Sequence, residues 1–268
     1  MFDNFISSPQ NPKVKRLVAL QQKSSARREE SLFVVEGLRE VERCVEAGYV
    51  LDTLFYCPSL LTDGSVLASM ISRMEGRCFE VSPEVYARIA YRGTTEGLIA
   101  VVRMRQLTLD SLRLPDNPLI VVLESVEKPG NLGAVLRTAD AARVDAVIVC
   151  DPLTDLFNPN LIRSSLGAFF TVPCVACTSA ECIAFLKQHG VQILTAQLQD
   201  SRLYYDTDMR CATAIVMGTE STGLSPQWRQ AADAHIRIPM QGRVDSLNVS
   251  VSAAILVFEA VRQRRAVE

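Results

Sequence analysis

Asn131 and Arg137 stand six residues apart in PGNLGAVLRTADAARV, and Ser246 and Asn248 stand two apart in IPMQGRVDSLNVSVSAAI, Ile238 to Ile255. Glu220 lies between two glycines in MGTESTGLSP, Met217 to Pro226. Amide side chains donate and accept hydrogen bonds, a guanidinium only donates, and a carboxylate only accepts. Such a set suits the holding of a polar ligand. Each residue also has a plainer reading. Serine and asparagine cap helices, and an arginine inside a helix is most often a solvent-facing charge.

The elements around these residues share one pattern. PGNLGAVLRTAD follows the apolar run LIVVLESVEK, MGTESTGLSP follows the strand ATAIV, and the last segment follows HIRIPM and leads into a long apolar helix. Polar groups thus gather just beyond the carboxyl ends of strands, where open α/β sheets bind ligands. Other chemistries lose support. No G-x-x-x-x-G-K-[ST] loop and no G-x-G-x-x-G after a strand is present, which speaks against nucleotide hydrolysis and dinucleotide binding. With only His189 and His235, histidine triads and His-rich metal sites are hard to assemble.

NLG with a following RTA, then GTESTGL, then IPMQG with a following SLNVS, in this order, closely resemble the SpoU/TrmH family of ribose 2'-O-methyltransferases. The resemblance is strong from Leu119 to Arg262 and looser in the amino-terminal part, where FVVEGLREVERCVEAG and TTEGLIAVV match a substrate-binding domain of α/β sandwich type. It implies methyl transfer from S-adenosylmethionine to a ribose 2'-hydroxyl, with large-subunit ribosomal RNA preferred because a recognition domain accompanies the catalytic one. The alternatives are a tRNA-directed enzyme, a methyltransferase conferring antibiotic resistance, or a non-catalytic RNA-binding protein that keeps the fold.

By match, Arg137, Asn131, Glu220, Ser246 and Asn248 form the catalytic set. A guanidinium is a poor base, so Arg137 is expected to bind the neighbouring phosphate and stabilise the ribose oxygen. Asn131 and Asn248 would hold Arg137 and the ribose, Glu220 would orient Asn131 or the arginine, and Ser246 would cap the last helix while lining the site. The implied cofactor pocket comprises Thr195, Ala196, Gly218, Ile238, Met240 and Leu247, with core packing as the competing reading for each. The resemblance also implies a trefoil knot near the carboxyl terminus, and a homodimer through the last helix that places groups of the second subunit beside the active site.

The chain has 268 residues, 48% of them hydrophobic, enough for one large or two smaller domains. No apolar run approaches a membrane span and the amino terminus lacks an apolar signal core, so a cytoplasmic protein is expected. Its eight cysteines are then reduced and mostly buried. Cys174, Cys177, Cys182 and His189 make a conceivable zinc set, but their spacing fits no common module; core packing and no metal are expected. The net charge is −2, yet six basic residues precede position 29 against the single acid Asp3. Of these, Lys13, Lys15, Arg16, Arg27 and Arg28 are the expected RNA contacts.

Helical and extended patterns alternate in both halves, on either side of the proline-bearing stretch RMRQLTLDSLRLPDNP. The expected architecture is α/β throughout: an RNA-binding domain over residues 1–106, then a methyltransferase domain over 107–268 with a mainly parallel sheet covered by helices on both faces.

Overall fold

The computed structural model describes residues 4–61, 74, 76–91, 96–219 and 222–265. The chain divides into two compact units, residues 1–105 with 157–163, and residues 106–156 with 164–268.

In the first unit, strands β1 (Phe5–Ile6), β2 (Leu32–Glu36), β3 (Leu51–Tyr56), β4 (Cys78–Val81) and β5 (Leu98–Arg103) form one sheet in the order β1-β4-β3-β5-β2. β1 and β3 run parallel to β4, while β5 pairs antiparallel with β3 and β2. Helices α1 (Pro12–Gln22), α2 (Ser24–Glu30), α3 (Leu38–Glu46) and α4 (Pro83–Ile89) accompany it. Two of their starts are written in the sequence: Asn11 and Ser82 accept from the amides of Lys13 and Val85, each followed by a proline in the first helical position. The helix expected over LLTDGSVLASMISRM falls largely outside the described residues. The short α2 and β1 were not anticipated, since seven and two residues carry too little periodicity to be recognised.

The second unit is built on seven parallel strands in the order β10-β12-β9-β11-β6-β7-β8. They are β6 (Leu119–Glu124), β7 (Ala146–Cys150), β8 (Cys174–Cys177), β9 (Gln192–Ala196), β10 (Arg202–Leu203), β11 (Thr213–Met217) and β12 (Ala234–Arg237). β6, β7 and β11 are buried over their whole lengths, as central parallel strands covered on both faces must be. One face packs Ile120, Val122, Ile148 and Val216 against Cys182, Leu186 and Trp228, from helices α8 (Ser179–Gln188) and α9 (Pro226–Ala231). Helices α5 (Pro129–Ala142) and α10 (Val249–Arg265) pack on each other and on the sheet.

Two expectations change here. LIRSSLGAFF forms two short helices, α6 (Pro159–Ser164) and α7 (Ala168–Thr171), because Leu166 and Gly167 take left-handed conformations at φ 51° and 85°. A side chain on Gly133 of α5 would collide with that of Ser164, so this break and the glycine of NLG are fitted to each other. The expected linker is also partly folded: Leu107 bridges to Val175 of β8, Thr108 and Ser111 cap a single 3-10 turn, and Leu109, Leu112 and Leu114 pack on the core of the second unit.

The end of α10 is fixed by Arg264, whose guanidinium donates to the carbonyls of Asn117, Pro118, Met209 and Cys211 at 2.6–3.0 Å. Burial lowers its pKa, which marks how far this cation has been withdrawn from water to satisfy backbone at the starts of β6 and β11. Among the described residues, no helix is long and apolar enough to cross a membrane.

Candidate active site

A cleft of about 430 Å³ opens at the carboxyl ends of β9, β11 and β12. Three loops form it. Ala196 to Gln199 follow β9, Met217 to Thr219 and Thr222 to Leu224 surround β11's exit, and Ile236 to Ile238, Met240 and Asp245 to Leu247 continue from β12. Gly218 is required by sterics, since a Cβ there would strike the backbone of Gly223 and come within 2.7 Å of the Leu224 amide. The β11 loop turns back on itself, with Thr219 and Gly223 paired by a backbone bridge and the Thr222 amide donating to Thr219 Oγ1 at 3.0 Å.

A smaller recess of about 140 Å³ adjoins the cleft and shares Gly218, Thr219 and Val249 with it. Its other wall is the β6–α5 connection, Ser125 to Lys128, together with Asn131. Here two distant motifs meet: Asn248 Nδ2 donates to Asn131 Oδ1 at 3.2 Å. Asn248 Oδ1 is engaged in turn by the Ser250 amide at 3.0 Å and the Ser250 hydroxyl at 2.6 Å. Asn248 therefore both starts α10 and holds Asn131, which lines the recess.

The expected residues divide as follows. Ala196, Gly218, Ile238, Met240 and Leu247 line the cleft, and so does Ser246. Ser246 is exposed, however, and donates to Asp245 at 3.2 Å; the cap expected of it belongs to Asn248. Thr195 lies one residue too early. It is fully buried, with its hydroxyl 2.6 Å from His235 Nδ1, because alternate residues of a strand face opposite sides. Asn131 sits at the third position of α5 rather than at its cap, which is Lys128. Arg137 is exposed on α5 and lines neither cavity. Six residues past Asn131, it stands about 120° away around the helix. Among the described residues it has no hydrogen-bond or ion-pair partner; Glu220 lies outside them.

Of the amino-terminal cations, Lys13, Lys15, Arg16 and Arg28 are exposed. Arg16 pairs with Glu30 and Asp52, and Lys13 lies over the Phe79 ring at 4.7 Å. Arg27 must be removed from the RNA-facing set. It is 2% exposed, and its guanidinium donates to the carbonyls of Leu20 and Gln21, where it closes the end of α1.

One functional candidate escaped the sequence. Gln197 lines the cleft with a buried Oε1 that has no partner among the described residues, while its Nε2 donates to the Gln199 carbonyl. Nothing in TAQLQD distinguishes it from a surface glutamine. The four residues of the conceivable zinc set do not come together. Cys177 and Cys182 gather with Cys150, whereas Cys174 is buried at the start of β8 and His189 Nδ1 bonds to the Phe185 carbonyl.

A parallel α/β sheet with a cleft at its strand ends, and a polar recess beside it, defines a ligand-binding α/β domain. Residues 118–258 match the model of the SpoU rRNA methylase family, and residues 11–100 match that of the MRM3-like substrate binding domain. The chain belongs to the SpoU rRNA methylase family. It is 36% identical over 85% of its length to the 23S rRNA (guanosine-2'-O-)-methyltransferase RlmB of Vibrio parahaemolyticus, covering 92% of that protein. It is 29% identical to the 23S rRNA (guanosine(2553)-2'-O)-methyltransferase RlmP of Bacillus subtilis, over 94% of this chain and 97% of that protein. A crystal structure of AdoMet-bound rRNA methyltransferase from Sinorhizobium meliloti superposes with a TM-score of 0.87 at 31% identity, over 96% of this chain and 97% of that one.

Proposed function

We propose that this chain methylates a ribose 2'-hydroxyl of large-subunit ribosomal RNA, using S-adenosylmethionine. The observation that carries the reading is the junction of two cavities through Gly218, Thr219 and Val249, one suited to the cofactor and the other lined by Asn131, which Asn248 holds. The larger cleft fits the cofactor chemically. Among the described residues the buried Gln197 Oε1 has no partner and calls for a donor such as an amino or hydroxyl group, and Gly218 lets the β11 loop fold back on itself to form the cleft wall. Ala196, Gln197, Gly218, Ile238, Met240 and Leu247 would hold it, with Ile238 and Leu247 giving apolar contact to the adenine. When bound, S-adenosylmethionine supplies an electrophilic methyl group on a sulfonium.

The protein's work is then positioning and charge stabilisation. Asn131, oriented by Asn248, holds the ribose in the recess. Arg137 pairs with the adjoining phosphate and stabilises the oxygen as its proton leaves to solvent; it is an electrostatic group, not the base. Lys13, Lys15 and Arg28, with the exposed edge of Arg16, bind phosphates from the first unit, which serves as the RNA-binding domain. We assign the methyltransferase domain to the second unit, and to the path from β12 back to α10 beside α5 the trefoil knot of the family. The enzyme works in the cytoplasm as a homodimer through α10, where Val251 and Phe258, two turns apart on one side, are each 47% exposed. That Arg137 lines neither cavity of its own chain supports a dimer in which the partner chain supplies it.

The test is transfer of labelled methyl from S-adenosylmethionine to total RNA separated by size, with Arg137→Ala as control. Label in large ribosomal RNA, recovered as an alkali-resistant dinucleotide and lost in the variant, is the expected result. Label confined to tRNA would redirect the substrate, and no label together with no cofactor binding would leave a non-catalytic RNA-binding protein.

A further inference from the structure

Away from the cleft, on the β7–β8 side of the sheet, three cysteines converge. Cys150 ends β7, Cys177 ends β8 as its direct register partner, and Cys182 projects from the second turn of α8. Their Sγ atoms all lie within 4.8 Å of one another. Cys150 and Cys182 are fully buried, while Cys177 is half-buried and gives the cluster an opening to solvent.

We propose that Cys150, Cys177 and Cys182 bind a thiophilic divalent cation, zinc, which ties β7, β8 and α8 together. Tetrahedral zinc with sulfur ligands at ~2.3 Å sets its sulfurs ~3.8 Å apart, a spacing that small side-chain rotations reach from the observed cluster. Three ligands leave one position for water at the Cys177 opening. The electrostatics favour a cation. Glu181 and Asp151 add negative potential at the Cys177 sulfur.

Binding exchanges three thiol protons for the ion, the protons pass to solvent, and no electron is transferred. The site is separate from methyl transfer, since the cofactor cleft is built at β9, β11 and β12. It also depends on this chain's own cysteines and not on any motif of the catalytic set.

The experiment titrates zinc, then cobalt, into full-length protein stripped with a chelator under reducing conditions. One zinc per chain is expected, with a rise in melting temperature of about 5 °C and a sulfur-to-cobalt charge-transfer band in the near ultraviolet. Cys177→Ser, at the half-buried vertex, should weaken zinc binding at least about tenfold while the metal-free protein melts as the wild type does. Cys174→Ala, in the same strand but outside the cluster, should keep full stoichiometry. Substoichiometric zinc, a cobalt spectrum without the sulfur band, binding that survives Cys177→Ser undiminished, or a disulfide among the three cysteines in freshly purified protein would each overturn the assignment.

Discussion

Gln197 shows how much a single side-chain atom can decide. A buried carbonyl oxygen without a donor destabilises the protein that holds it, by about 1–3 kcal/mol, and Gln197 Oε1 is such an atom at the wall of the cleft. Gln197→Leu removes that penalty from the free protein and removes the contact from the complex. The variant should melt no lower than the wild type, and calorimetry should give a Kd for S-adenosylmethionine about tenfold higher. Unchanged affinity would place the oxygen away from the cofactor. Other residues were legible beforehand because they sit in ordered motifs: Gly218, Ile238, Met240 and Leu247 all reach the cleft. Thr195 did not, because a motif gives the neighbourhood of a strand end but not which of two successive side chains turns inward. Arg27 failed for a related reason. Composition counts charges, whereas burial at a helix junction is decided by tertiary packing.

At the scale of elements, apolar runs bounded by turn residues revealed nearly every strand of the second sheet, but they could not reveal its order. β6 lies between β7 and β11, and β9 between β11 and β12, and that order is what brings three loops distant in sequence around one cleft. The Asn131–Asn248 bond depends on it too. Asn248 carries two duties, as the side chain accepting from Ser250 and as the donor to Asn131. Asn248→Ala should therefore lose about 1 kcal/mol of stability with the helix cap as well as turnover. Asn131→Ala should lose turnover with a smaller change in a urea melt, since the cap of α10 stays with Asn248. Equal destabilisation by both would make the pair structural. Arg264 is the opposite case, a residue of the last turn that reads as a solvated charge and proves to hold four carbonyls. Charged hydrogen bonds contribute more than neutral ones, so Arg264→Ala should lower unfolding free energy by about 3 kcal/mol, measured by urea denaturation.

For the whole molecule, the proposed dimer builds each site from two chains. Arg137 lies about 120° around α5 from Asn131, outside both cavities, while α5 packs on α10, the helix that leaves Val251 and Phe258 to solvent. A two-fold dimer through α10 would place the same surface of each chain against the other, and one chain's Arg137 could then serve its neighbour's recess. Mixed dimers decide the matter. Arg137→Ala and Asn131→Ala proteins are each expected to be inactive alone, yet when co-expressed they form heterodimers in which one site pairs an intact Asn131 with an intact Arg137. Random pairing makes half the dimers mixed and restores one site of two in each, so methyl transfer should return to about a quarter of the wild-type rate per chain. If Arg137 serves its own chain, every site in every pairing carries a lesion and no activity returns. Introducing Phe258→Glu into both variants should abolish the recovery by separating the chains, with a monomer seen in solution scattering; recovery that survived in monomers would show that the helix interface plays no part.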